Sequence, residues 1–100
     1  MIIKNVRNAL LQYGANNGYH FTLIDGYDKS IVGISGETVI YDKEAMIREH
    51  MLDNKCNRVE AEEWIDYNVI RSLPYYKGVQ IIETKIDELL DLYGYEVEKD

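Results

Sequence analysis

The sequence predicts an α+β domain: a small antiparallel sheet of three to four strands with helices packed on it, in the order α-β-β-β-α-α-β-α. Three observations carry that expectation. Apolar residues recur at helical spacing in four stretches, short runs rich in branched and aromatic residues lie between them, and glycine, asparagine and aspartate punctuate the boundaries. With 100 residues, 46% of them hydrophobic, and no proline-rich, serine-rich or repetitive stretch, the chain reads as a single compact domain over 1–100.

The first helix is predicted from Ile2, Ile3, Val6, Ala9, Leu10 and Tyr13, which share one side of a helical wheel, with Gly14 as its stop. Tyr19–Ile24 has strand composition, and Ile31–Ile34 and Thr38–Tyr41 flank a Ser35-Gly36-Glu37 hairpin turn, so the three runs are expected to form an antiparallel meander. Asp42 can cap a helix from Lys43 to about Asp53 whose inner face holds Met46, Ile47, His50 and Met51. Asn57 and Glu60 have capping-box spacing ahead of a helix over Val59–Leu73, where Ala61, Ile65, Val69 and Leu73 form an i, i+4 row ended by Pro74. Val79–Ile82 is the fourth strand. Thr84 with Asp87 is a candidate cap for a last helix whose stripe is Ile86, Leu89, Leu90 and Tyr93, ending at Gly94.

The formal charge is −7, unevenly placed: residues 1–36 carry three basic and two acidic side chains, leaving −8 for the rest. An acidic body repels phosphate, so direct nucleic-acid binding is disfavoured and a basic protein surface is the favoured charged partner. One cysteine, Cys56, permits no internal disulfide, the amino-terminal residues lack the apolar core of a secretion signal, and no apolar run reaches bilayer length. A cytoplasmic setting is expected.

No catalytic, cofactor or metal set is read from the residues. His50 and Cys56 are the closest imidazole and thiol in sequence, but His50 sits on an apolar face and Cys56 just before a helix cap, both structural positions. His20 alternates with aromatic residues at a strand's solvent side. Asp25 and Asp28 have turn chemistry and fall short of the dense oxygen series of a calcium loop. Gly33 and Gly36 flank a hairpin, whereas phosphate loops join a strand to a helix. The carboxylates Glu60, Glu62, Glu63 and Asp66 crowd one helix start, where the helix dipole favours them.

Nine tyrosines accompany one Phe and one Trp, so most aromatic rings carry a polar handle suited to protein interfaces. Trp64 and Tyr67 fall off the Ala61–Ile65–Val69 row, and Tyr75 and Tyr76 follow Pro74. Each of these four aromatics could also complete a wide core around a small sheet; as a group, with Glu60, Glu63 and Asp66 as an acidic rim, they are the expected partner-binding residues.

The segments ETVIYDKEAMI (37–47) and VEAEEWIDYNVIRSLPY (59–75) resemble a family of small uncharacterised phage and prophage proteins, whose pattern runs strand–Val-X-Tyr, Lys-Met-Ile, Glu-Ala-X-Glu-Trp-Ile-Asp-Tyr-Asn and Ala-Leu-Pro-Tyr. The match covers roughly residues 30 to 82 and makes Asp66, Tyr67 and Asn68 motif positions. Residues 43–47 contain an insertion relative to the pattern, and Ser72 stands where it has alanine. The resemblance implies a phage lineage and carries no activity of its own; with the small size, the acidic charge and the lack of a catalytic set, the expectation is a non-enzymatic phage-type binding protein that inhibits a host defence nuclease, such as a CRISPR effector, similar in size and charge to anti-CRISPR proteins. The alternative is a self-associating accessory or adaptor protein, a homodimer joined through Trp64 and Tyr67.

Overall fold

The structure, a computed structural model, describes residues 5–95. Ile2 and Ile3, expected on the first helix, lie outside the described residues. The fold is α+β. Helix α1 spans Val6–Asn17, strands β1 and β2 span Ile31–Ser35 and Thr38–Asp42, helices α2 and α3 span Lys43–Asn54 and Arg58–Asn68, strand β3 spans Val79–Ile82, and helix α4 spans Ile86–Leu92. Two 3-10 segments, Asp28–Ser30 and Ile70–Tyr75, complete the order.

The sheet runs β1-β2-β3 and is mixed. Strands β1 and β2 form the expected hairpin, with Ser35 opposite Thr38 and an extra residue on β1 between Ile31 and Gly33. Strand β3 returns parallel to β2, Val39 against Val79 through Asp42 against Ile82. That direction corrects the antiparallel expectation, because the path through α2 and α3 carries the chain back to the end of the sheet where β2 began. Tyr19–Ile24 does not pair into the sheet. It has no regular secondary structure; Phe21, Leu23 and Ile24 pack on the core, while the Ile24 amide donates to the Tyr41 hydroxyl at 2.8 Å and the His20 amide to Glu37 at 3.3 Å.

The core lies between the sheet and the α2–α3 pair: Tyr27, Val39, Tyr41, Met46, Ile47, Ala61, Ile65 and Val69 are all buried. Asp42 caps α2 by accepting from the Ala45 amide at 3.0 Å, and Asn57 caps α3 by accepting from the Glu60 amide at 2.8 Å. Both caps were legible from the sequence. Thr84, expected to cap α4, instead donates through its hydroxyl to Asp42 at 2.9 Å, tying the exit of β3 to the start of α2. Helix α4 therefore begins at Ile86, with Lys85 at the cap position giving no side-chain hydrogen bond, and none of its residues is buried.

Two helix ends depart from expectation. Helix α1 continues past Gly14 and stops at Gly18, whose φ of 73° is the left-handed conformation that favours glycine. Gly14 serves packing instead: a Cβ there would lie 2.8 Å from the Tyr19 carbonyl oxygen and 3.2 Å from the Phe21 ring. Helix α3 ends at Asn68 rather than Leu73, and the chain tightens into the 3-10 segment that contains Pro74. Asn68 donates its side-chain amide back to the Trp64 carbonyl at 3.0 Å, and Ser72 donates its hydroxyl at 3.1 Å to the carbonyl of Asn68, one of the last carbonyls of the helix. No described helix is long and apolar enough to cross a membrane.

Candidate protein-binding face

Because Ala61, Ile65 and Val69 turn one side of α3 inward, the residues between them point away from the core. Glu60, Glu63, Trp64 and Tyr67 occupy that outer side, continued by Asn68 and Arg71, and line an open cavity of about 600 Å³ that Asp66 also borders. Trp64 is 45% exposed and Tyr67 66%, which is unusual exposure for two large rings set a single helical turn apart.

The two rings are held differently. The Trp64 indole leans on the His50 imidazole, ring centroids 4.8 Å apart, and His50 in turn stacks on Tyr27 and shares a 2.9 Å hydrogen bond with its hydroxyl through Nδ1. Burial pushes the Tyr27 hydroxyl up to about 12, with Glu49, Asp53 and Cys56 adding to the effect. Tyr67 carries the Arg71 guanidinium over its ring, 4.7 Å from the centroid. So Trp64 is anchored from beneath by the core, and Tyr67 is steadied from the next turn.

The acidic rim divides in the same way. Asp66 is paired with Lys43 at 3.3 Å, a cation that it shares with Glu83 at 3.8 Å. Glu60 accepts from the Asn57 side-chain amide at 2.9 Å but meets no cation among the described residues. Glu63 meets none either. On the flank toward α2, Arg58 grips Glu44 with two bonds of 2.7 Å and reaches Glu62 at 2.8 Å, holding the Glu44 carboxyl below the usual carboxylate range through those hydrogen bonds. The unneutralised charge of α3 is therefore concentrated at Glu60 and Glu63, beside Trp64.

Of the seven residues expected to bind a partner, five line this face: Glu60, Glu63, Trp64, Asp66 and Tyr67. Tyr75 and Tyr76 do not border it; they lie beyond α3 at the end of the 3-10 segment, 88% and 50% exposed. Arg71 was not foreseen. Its signal was present in the sequence as the i, i+4 spacing from Tyr67, which places a cation over an aromatic ring on a helical surface.

No protein-family profile, curated protein or solved structure matches this chain. Its chemistry is therefore read from its own side chains. A second cleft, of about 540 Å³, opens on the other side of Trp64 and is bordered by Tyr27, His50, Asp53, Cys56 and Glu60. His50 and Cys56 do share this cleft, but the imidazole is occupied by Tyr27 and Trp64, the structural position expected of it. Asp25 and Asp28 receive the Arg7 guanidinium, at 3.1 Å and at 2.8 and 3.0 Å respectively. Among the described residues no group of three or more His, Cys, Asp or Glu side chains is arranged to hold a metal ion.

Proposed function

We propose that this chain is a non-enzymatic binding protein that engages a basic protein surface through the outer face of α3. The supporting observation is the exposure of Trp64 and Tyr67 side by side, with the unneutralised carboxylates of Glu60 and Glu63 at one end. Large aromatic rings supply desolvated contact area at small conformational cost, and rim carboxylates steer a cationic partner toward them. The net charge of −7 extends that attraction beyond the contact itself.

The resemblance of residues 37–47 and 59–75 to phage and prophage proteins carries no activity of its own but supports a partner found in a phage host. A nuclease of a host defence system, such as a CRISPR effector, has a basic groove that holds nucleic acid, and an acidic protein seated there blocks it. Inhibition of such a nuclease is the function this reading assigns. The test is affinity capture from the lysate of a defence-competent host, followed by mass spectrometry, with wild-type protein and an E60K/E63K variant side by side. The reading expects a nuclease component bound by wild type and lost from the variant; equal recovery by both would remove α3 from the interaction.

A further inference from the structure

The outer face of α3 has a symmetry of its own. Glu60, Glu63, Trp64, Tyr67 and Asn68 fall on one side of α3, Arg71 follows from the 3-10 segment just past its end, and all six border one cavity. About the midpoint between Ile65 and Asp66, Glu60 and Arg71 are equidistant, as are Glu63 and Asn68, and Trp64 and Tyr67. Two copies of this face laid antiparallel about a two-fold axis at that midpoint bring Glu60 against Arg71 twice. Glu63 then meets Asn68 twice, and the four rings meet in the centre.

We infer that this face pairs with the same face of a second copy, so that the chain forms a homodimer through α3. A two-fold interface must be self-complementary, each residue meeting a partner that meets it in return, and an acid, an aromatic pair and a base in that order satisfy this condition. The cation is already in position: Arg71 lies over Tyr67, 4.7 Å from the ring centroid, and has no carboxylate partner among the described residues. Glu60, at the other end of the stripe, has no cation. Each copy thus supplies what the other lacks, and the central rings gain burial that the single copy does not provide. One helical face is a small interface, so the dimer is weak and concentration-dependent.

The pairing goes beyond the host-partner reading and does not depend on it. It also regulates that reading's site, because the dimer covers Trp64 and Tyr67 and must open before a partner binds. Arg71 and Glu60 then differ at the host-partner site: R71E weakens the dimer and leaves the acidic end intact, whereas E60R weakens both.

Sedimentation equilibrium of the full chain over a range of concentrations, at physiological salt so that the repulsion between two copies of net charge −7 is screened, tests the inference with four proteins: wild type, E60R, R71E and the double variant E60R/R71E. Wild type is expected to dimerise reversibly, each single variant to raise the dimer dissociation constant about tenfold, and the double variant to restore it to within about threefold of wild type. Far-UV circular dichroism of each single variant, matching that of wild type, shows that it folds. A wild-type chain that stays monomeric at every concentration, a single variant that dimerises as well as wild type, or a double variant without rescue would each overturn the pairing. Failure here with the captured nuclease still lost on E60K/E63K would leave the host-partner reading standing alone.

Discussion

The imidazole of His50 lies 4.8 Å from the indole of Trp64, centroid to centroid, and joins the one tryptophan of the chain to the buried Tyr27 hydroxyl. The exposed ring on α3 is thus mounted on the core through α2. Replacing His50 with alanine leaves the Tyr27 hydroxyl buried without its partner and removes the support under Trp64. We expect H50A to lower stability by about 2–4 kcal/mol, and Y27F, which removes the hydroxyl itself, by about 1 kcal/mol. Urea unfolding followed by Trp64 emission measures both, and the folded-state emission of H50A should shift toward that of a more exposed indole.

Asp42 accepts hydrogen bonds from the start of α2, through the Ala45 amide at 3.0 Å, and from the exit of β3, through the Thr84 hydroxyl at 2.9 Å. D42A removes a helix cap and releases the Thr84 hydroxyl together, for an expected loss of about 2–3 kcal/mol. T84V removes the second contact and spares the cap, so about 1 kcal/mol is expected from it. Chemical denaturation of the two variants checks the difference.

Backbone geometry supplies a pair of opposite predictions. G14A adds a methyl group 2.8 Å from the Tyr19 carbonyl oxygen, so the overlap exceeds the roughly 1 kcal/mol of helix propensity that alanine brings, and a net loss of about 1–2 kcal/mol follows. Lys55 closes α2 at φ 50°, the one non-glycine residue with positive φ among the described residues. K55G relieves that strain and should stabilise the fold by about 0.5–1 kcal/mol. Thermal melts of the two variants should move in opposite directions.

Tyr27 makes stability depend on alkaline pH. Its hydroxyl is pushed up to about 12 by burial, against about 10 in an unfolded chain, so the fold favours the neutral form. Its contribution is complete below pH of about 10 and is lost as pH rises toward about 12, by roughly 2–3 kcal/mol. Denaturation midpoints measured across that window should fall more steeply for wild type than for Y27F. A residual slope in Y27F is expected from Tyr41, which burial also pushes up.

Local rules made much of this fold legible. Asp42 and Asn57 could be read as caps because an N-cap is set by residues within one turn of itself, and the buried row Ala61, Ile65 and Val69 because helical spacing states which side faces inward. What escaped depends on distant partners. Tyr19–Ile24 has the composition of a strand, but pairing requires a free sheet edge in reach, and its Ile24 amide goes to Tyr41 instead. Strand β3 gives no sign of its direction, and Arg7 meets Asp28 across 21 residues. The candidate face was legible as exposed aromatics beside carboxylates on α3. Its limits were not: Asp66 is drawn off by Lys43, Tyr75 and Tyr76 lie past the helix break, and Arg71 joins the face.

The most direct measurement is DNA cleavage by the captured host nuclease, purified, with rising amounts of this protein at low and at physiological salt. Wild type should inhibit, with inhibition weakening about tenfold or more as salt rises, and W64A and E63K should each inhibit far less. Full cleavage at saturating protein, or inhibition that neither salt nor these two substitutions reduce, would contradict an acidic, aromatic binding face on α3.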